Sequence, residues 1–261
     1  MNYSHQMEKL SKPGCVLFAI ATVAFGIEYL LYASGVAGPL PGPPWSPVRA
    51  PWAWLLGLAL LLAALGIVMR RTAHGAAILL AGAFLLRVLF IQLPPLFRGL
   101  HNPTYWTPAF EVLGMSGAAL LVASVYGQGK DKDQSHPDAT DLIPQLGRFI
   151  FALSLPVFGI QHFLYAAYIA TLIPTWMPAR LFWAYFVGVA FIAAAASITT
   201  KIKGSLAAAL LGSMFFLWVL ILHLPRVAAA PHNGDEWTSA FVALAMAGGA
   251  FMCAGTLSKQ S

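Results

Sequence analysis

Charged residues are scarce in this sequence. Lysine, arginine, aspartate and glutamate together make up 9% of its 261 residues, whereas 59% are hydrophobic. An average soluble domain contains about 25% charged residues, and a surface in contact with water needs them. The shortage of charge therefore excludes an ordinary soluble domain and predicts that much of the protein's surface faces lipid.

The sequence motifs of several enzyme classes are also missing. The two cysteines, Cys15 and Cys253, form no C-x-x-C pair, which argues against a thiol-exchange enzyme. The sequence contains no Walker loop, G-x-S-x-G or H-E-x-x-H motif, so nothing indicates nucleotide binding, a serine hydrolase or a zinc protease. A net charge of +6 raises the question of nucleic acid, but no basic stripe is interleaved with exposed aromatic residues, and we exclude nucleic acid as a partner.

Long apolar runs are what the sequence has instead. Eight segments approach the roughly 20 mainly apolar residues that cross a bilayer core of about 30 Å. Backbone in hydrocarbon must satisfy its own hydrogen bonds, so runs such as 55–65 and 206–222 should be helical. We predict an all-α integral membrane protein in which the lipid bilayer surrounds eight transmembrane helices, near 15–34, 52–69, 75–93, 106–126, 148–171, 181–199, 204–224 and 237–257.

The lysines and arginines indicate an orientation. With eight spans both chain ends lie on one side, and that side carries most of the basic residues: Lys9, Lys12, Arg70, Arg71, Lys130, Lys132, Arg148, Lys201, Lys203 and Lys259. The opposite side carries only Arg49, Arg98, Arg180 and Arg226. Because basic loops remain in the cytoplasm, we predict a multi-pass protein of the cell membrane, a bacterial inner membrane, with both termini cytoplasmic.

The two halves of the chain resemble each other. Residues 25–33 match residues 158–166 at a spacing of 133 residues, with six of nine positions identical. At a spacing of 131 residues, a Trp-x-Pro-x-Arg-x-x-Trp-Ala motif at 45–53 recurs at 176–184, and a His-Asn-x-x-x-Trp-Thr motif at 101–107 recurs at 232–238. A common register over most of the chain indicates an internal repeat.

The repeat defines the predicted domains. We expect a first four-helix repeat at 1–126, a polar cytoplasmic linker at 127–147 and a second four-helix repeat at 148–261. Each repeat has an even number of spans, so both copies enter the membrane from the same side. The predicted fold is therefore two parallel four-helix bundles.

At these motifs the chain resembles the DoxX-like membrane proteins, whose four-helix unit has a Gly-x-x-His first helix and a Pro-x-Trp-x-Pro loop. The matching residues are Gly159 to His162 and Pro174 to Pro178. The first half departs from the pattern, with Tyr29 in place of His162 and a longer loop rich in glycine and proline at 35–47. The resemblance implies the four-helix fold, and it implies a link to quinone-dependent or other redox systems.

Two glutamates and one arginine lie well inside predicted spans. Glu28, Arg87 and Glu111 would all lie about 8–9 Å below the outer surface, where charges are costly and often functional. They are our candidate catalytic residues, as a cluster that carries protons. A buried ion pair that only stabilises packing explains the same pattern, and the sequence leaves both interpretations open.

Other candidates lie toward the outer face and would bind a ligand. Histidines can form hydrogen bonds to a quinone carbonyl, and arginines at the first turns of helices can meet an anion such as a lipid phosphate. The candidate ligand-binding residues are His162, His223, His232, His101, Arg49, Arg180 and Trp176. The separation of His162 and His223 along their helices is awkward for one metal ion, and we predict no metal site.

We therefore expect a membrane subunit of a redox system that binds a quinone or a similar apolar small molecule near the extracytoplasmic face, with other redox-complex subunits as partners. The alternative is a non-enzymatic assembly partner or a carrier of small solutes. The sequence by itself does not decide whether the protein is an enzyme.

Overall fold

The computed structural model describes residues 3–34, 49–100, 102–127 and 137–258. These ranges are almost entirely helical and contain no β-strand. The helices are α1 (Tyr3–Lys9), α2 (Ser11–Ala33), α3 (Arg49–Val68), α4 (Ala73–Arg87), α5 (Leu93–Arg98), α6 (Pro103–Gly127), α7 (Pro137–Leu164), α8 (Ala166–Leu172), α9 (Arg180–Thr200), α10 (Gly204–Trp218), α11 (Leu224–Ala229) and α12 (Gly234–Ser258).

Eight helical segments in these ranges are long and apolar enough to cross a bilayer. They are His5–Ala33, Pro51–Val68, Ala73–Arg98, Tyr105–Gly127, Leu142–Leu164, Arg180–Thr200, Gly204–Ala229 and Gly234–Ser258. The prediction of an all-α chain with eight such helices is confirmed. An irregular backbone would leave amide groups without partners in lipid, so length, composition and helical structure together indicate a multi-pass membrane protein.

Helix bounds recur along the chain at a spacing of 131 residues. The helices α4, α5 and α6 begin at Ala73, Leu93 and Pro103. Their counterparts α10, α11 and α12 begin at Gly204, Leu224 and Gly234. Residues 73–127 and 204–258 therefore have the same order of helical segments, including the short helices α5 and α11.

A π-helical turn follows both α4 and α10. The turns span Val88–Gln92 and Val219–His223, and each ends with an N–H group that donates to the carbonyl five residues earlier. A proline follows each turn, at Pro94 and Pro225. Because proline has no N–H for the usual helical bond, the wider turn accommodates the missing donor. Such turns often occur at functional sites.

The eight spans pack in a closed order, and two of them, α6 and α12, also contact each other across its centre. Each span contacts the next along the chain, and α12 packs back against α2. The helices α6 and α12 also contact each other and are the most deeply buried spans. The last span of each half packs closely against the first span of the other half, α6 against α7 and α12 against α2. The two halves therefore share one interior.

Glycines allow a close backbone approach at two of these helix contacts. Gly248 of α12 lies against the carbonyl oxygen of Gly14 in α2, and Gly117 of α6 lies against the carbonyl oxygen of Gly147 in α7. Without a side chain, two helix backbones can approach each other and gain dispersion energy that lipid does not supply. Both contacts occur at equivalent positions of the two halves.

The described chain begins and ends on one side of the bundle. The helix α1 packs against α12, and Gly255 near the end of α12 lies against Ser11. The segment that joins α7 to α9, with α8 in it, and the turn between α11 and α12 therefore lie at the opposite end. The candidate ligand-binding residues with described side chains fall at or near this opposite end.

Several predicted boundaries differ from the observed ones. Residues 137–147, predicted as part of the linker, belong to α7, and residues 128–136 lie outside the described residues. A helix can continue beyond the apolar run into water, and proline is favoured at a first helical position. The predicted span 148–171 is interrupted at Tyr165, whose φ and ψ of −116° and 25° separate α7 from α8.

Candidate functional site

A cavity of about 480 Å³ lies at the end of the bundle opposite to Ser258. Its walls come from the last turns of α7, from α8, from the first half of α9, from α10 and the π-helical turn after it, and from α6 and α12. Tyr168 of α8, which is 66% exposed, stands at its edge. The cavity thus combines a buried interior with an edge at the protein surface.

The walls are mainly apolar and aromatic. The ring of Phe191 lies at the centre of one wall, with centroid distances of 5.8 Å to Phe158 and 5.3 Å to Phe215. Val187 and Met246 extend this surface. Such rings provide a large apolar contact for a flat ligand, and offset or edge contacts between aromatic rings are favourable.

One side of the cavity is contributed by the first half of the chain. Thr107 and Glu111, one turn apart on α6, line the cavity together with residues of the second half. The Thr107 hydroxyl donates a hydrogen bond of 3.1 Å to Oε1 of Gln161 on α7. The second half alone would therefore leave the cavity open where α6 closes it.

One ring nitrogen of His162 already forms a hydrogen bond within α7. Its Nδ1 lies 2.8 Å from the carbonyl oxygen of Phe158, one turn earlier in α7, and its ring packs edge-on against Phe191 at 5.3 Å. Because a carbonyl oxygen accepts only, the Nδ1 of His162 must carry the proton in this bond. The remaining ring nitrogen, Nε2, is left for a ligand.

His223 lies across the cavity in the second π-helical turn. Its Nδ1 is buried and has no hydrogen-bond partner within the described residues. One turn further on, Arg226 forms an ion pair of 2.7 Å with Glu236 of α12, which ties α11 to α12 near His223. A buried nitrogen without a partner costs free energy, so His223 keeps an unmet hydrogen-bonding capacity beside the cavity.

The residues predicted as a proton-carrying cluster are distributed over three environments. Glu111 lines the cavity, within electrostatic range of Arg87. Arg87 donates a hydrogen bond of 2.7 Å to the hydroxyl of Tyr29, and its guanidinium lies 5.8 Å from the centre of that ring. Within the described part of the chain, Arg87 forms no ion pair with Glu28 or Glu111.

Glu28 lies where α2 meets α12. Its Oε2 accepts a hydrogen bond of 2.9 Å from Thr238, while its Oε1 is buried without a partner among the described residues. The contact between Thr238 and Glu28 is equivalent in position to that between Thr107 and Gln161. One interface thus carries a carboxyl group where the other carries an amide.

The structure brings together three of the predicted site residues, Glu111, His162 and His223, on one cavity. Glu28 and Arg87 do not line it. Neither do Arg180 at the start of α9, the 69% exposed Trp176, or His232 in the turn before α12. His101 and the side chain of Arg49 lie outside the described residues. Within the described ranges no group of three or more histidines, cysteines or carboxylates has the arrangement of a metal site.

Several residues of the cavity were not predicted from the sequence. Gln161 and Thr107 both belong to repeated motifs. The replacement of Glu28 by Gln161 between the repeats was the signal that could have identified the contact between α6 and α7. Trp218, in place of Arg87, was a second such signal. Phe158, Tyr165 and Trp183 also lie in repeated motifs. No sequence pattern distinguished the other aromatic wall residues, Phe191, Phe215 and Tyr168, from the many aromatic side chains of the spans.

Replacing Glu28 with glutamine should leave the fold intact. The amide of Gln161 already accepts the equivalent hydrogen bond from Thr107, so the free energy of unfolding should change by less than about 1 kcal/mol. Thermal unfolding in detergent measures this. The control, Glu28→Leu, removes the acceptor for Thr238 and should cost about 1–3 kcal/mol. Equal losses for both variants would show that the carboxylate itself stabilises the interface.

Comparisons of the chain with protein-family models, curated proteins and solved structures give no match. The site must therefore be interpreted from its own geometry.

Proposed function

We propose that this protein binds a quinone, or a similar flat apolar molecule with hydrogen-bonding oxygens, in the cavity between α6 and the second half of the chain. The observation that carries the proposal is the combination of aromatic walls with the polar side chains of Glu111, Gln161, His162 and His223 in one cavity. Its 480 Å³ falls within the roughly 300–1,000 Å³ typical of small-molecule sites.

The polar groups suit the chemistry of a quinone. A quinone and its hydroquinone interconvert by exchange of two electrons and two protons, and a carboxyl group in the wall can exchange protons with a bound oxygen. Glu111 is the carboxyl group in position to do so. Gln161 and His162 would orient the ring, because each has a hydrogen-bonding atom without a partner among the described residues. The electrons would pass between the ring and a redox partner subunit.

We also propose the finer architecture that the sequence predicts. In it, two related four-helix units of the DoxX-like type lie parallel in a bacterial inner membrane, with both termini in the cytoplasm. The excess of lysine and arginine on the side of the chain ends supports this orientation. The cavity would then face the extracytoplasmic side, where it would meet a quinone from the outer leaflet or a periplasmic partner.

The contacts of the first half favour the rival function, a non-enzymatic assembly partner or a carrier of small solutes. There, Arg87 and Glu28 have hydrogen bonds to Tyr29 and Thr238 that are sufficient for a packing role. A double variant, Glu28→Gln with Arg87→Met, tests whether these two residues pack the interface or transfer protons. Unchanged activity of the intact redox complex at normal expression would assign both residues to packing, and loss of activity at normal expression would assign them to proton transfer.

Quinone binding can be measured through the tryptophans of the cavity. Trp183 and Trp218 line it, so a short-chain benzoquinone or naphthoquinone added to the purified full chain should quench tryptophan fluorescence with a saturable dependence. The variants Trp183→Phe and Trp218→Phe should each lose part of this quenching. Trp52→Phe is the matched control, because Trp52 is the first-half equivalent of Trp183 and does not line the cavity.

Two results would contradict the proposal. One is quenching that rises linearly with quinone concentration in every variant, which indicates partition into the detergent micelle. The other is a purified protein whose cavity retains bilayer lipid and takes up no quinone, as shown by mass spectrometry of the extracted small molecules.

A further inference from the structure

The hydrogen bonds already present around the cavity determine which groups a ligand must bring. Nδ1 of His162 donates to the carbonyl oxygen of Phe158 at 2.8 Å. In a neutral imidazole the second nitrogen then has a lone pair and no proton. Nε2 of His162 is therefore an acceptor, and it requires a donor from the ligand.

Gln161, the preceding residue of α7, offers the opposite polarity. Its Oε1 accepts from the Thr107 hydroxyl at 3.1 Å. The equivalent contact, Thr238 to Glu28 at 2.9 Å, supports this direction, because an ionised carboxyl group can only accept. The NH₂ group of Gln161 is left, and it requires an acceptor from the ligand.

A fully oxidised quinone carries only acceptors and would leave Nε2 of His162 without a donor. A ring hydroxyl carries a donor and an acceptor on one oxygen. We infer that the cavity selects ring-bound hydroxyl groups, that is, the hydroquinone or another phenol, with the O–H donating to His162 and an oxygen accepting from Gln161. This inference rests on the proposed function and specifies its substrate class as the reduced form.

The first half of the chain lacks this recognition. Tyr29 stands where His162 stands in the second half, and its hydroxyl oxygen accepts from Arg87 at 2.7 Å. Trp218 occupies the position equivalent to Arg87 and lines the cavity. Selection of a hydroxyl group is thus a property of the second half. Thr107 of α6 contributes by holding the side chain of Gln161 through its hydrogen bond to Oε1.

The test compares three ring compounds that differ only in what their two ring oxygens carry: a hydrogen, a methyl group or neither. A short-chain hydroquinone, its dimethyl ether and the corresponding quinone are titrated under anaerobic conditions into the full chain in lipid nanodiscs, with tryptophan fluorescence and calorimetry as readouts. The hydroquinone should bind about tenfold more tightly than its dimethyl ether, since one hydrogen bond to a buried acceptor is lost. The quinone should be weaker than the hydroquinone by a similar factor.

The variant His162→Phe should reduce the ratio between hydroquinone and dimethyl ether to about one. Tyr29→Phe is the matched control at the equivalent position of the first half, and it should leave the tenfold ratio unchanged. The ratio in the unaltered protein is informative even if the His162 variant does not fold.

The outcomes separate this inference from the proposed function. Saturable binding of all three compounds with equal affinity would overturn the selection of a hydroxyl group and leave ring binding intact. A tenfold preference that persists in His162→Phe would overturn the assignment to His162. No saturable binding of any compound would overturn both.

Discussion

Replacing Ala243 with phenylalanine should abolish quinone binding while the protein remains folded. Ala243 of α12 lines the cavity and is 7% exposed. A phenylalanine side chain at this position would extend into the empty volume and meet the aromatic wall around Phe191, where a flat ligand would otherwise lie. Filling a cavity of this kind costs little stability when the added atoms fit the empty space, whereas ligand and side chain cannot share it.

The expected result is a loss of affinity of at least about 100-fold, which corresponds to removal of most apolar contacts of the ring. Tryptophan quenching by a short-chain quinone measures it. Ala243→Ser, which is nearly equal to alanine in size, should bind within about threefold of the unaltered protein, a difference of less than about 1 kcal/mol. If Ala243→Phe binds the quinone normally and remains folded, the ligand lies elsewhere on the protein.

Replacing Gly117 with alanine should destabilise the protein strongly, although the substitution adds only one methyl group. A Cβ atom at Gly117 would collide with the backbone nitrogen of Phe151 and approach the carbonyl oxygen of Gly147 to 2.8 Å. Both are backbone atoms of α7 and cannot rotate away, so α6 and α7 would have to separate along their contact. Overpacking of this kind costs about 3 kcal/mol.

Gly82 of α4 provides a control, because the same substitution there should stabilise the protein. An added Cβ there meets no atom within 4 Å, and alanine favours the helix over glycine by about 1 kcal/mol. The unfolding midpoint in a denaturing detergent should therefore fall for Gly117→Ala and rise slightly for Gly82→Ala. Equal effects of the two substitutions would mean that the contact between α6 and α7 does not determine stability.

The equivalent contact between α2 and α12 extends this prediction. Gly248→Ala would place Cβ 2.6 Å from the carbonyl oxygen of Gly14, so its cost should match that of Gly117→Ala. Because α12 also forms part of the cavity, the same variant should weaken quinone binding. A stable Gly248→Ala variant that binds normally would contradict both expectations.

Much of the fold could be predicted from the chain because the bilayer reduces the choices. A run such as residues 206–222 can cross a membrane only as a helix, and hydropathy alone located eight helices. The ends of these helices were harder to locate, because α7 continues into polar sequence before residue 148 and Tyr165 interrupts it within an apolar stretch. Hydropathy measures how apolar a segment is and not whether its backbone is helical, so it signals neither feature.

The candidate site was only partly predictable. Glu111, His162 and His223 were identified because ionisable side chains in lipid are unusual, and all three line the cavity. Equal depth suggested a cluster of Glu28, Arg87 and Glu111, but depth does not state which face of a helix a residue occupies. Arg87 instead bonds to Tyr29, and Glu28 accepts from Thr238 of α12.

The amino-acid sequence by itself determined that this chain is helical and apolar enough to cross a membrane eight times, since those properties follow from composition and from the backbone's need for hydrogen bonds. The tertiary structure alone decided that α6 of the first half closes a cavity in the second. That closure depends on which faces of distant helices meet, and it is set by the close backbone contact at Gly117 and by the packing of side chains across α6, α7 and α12.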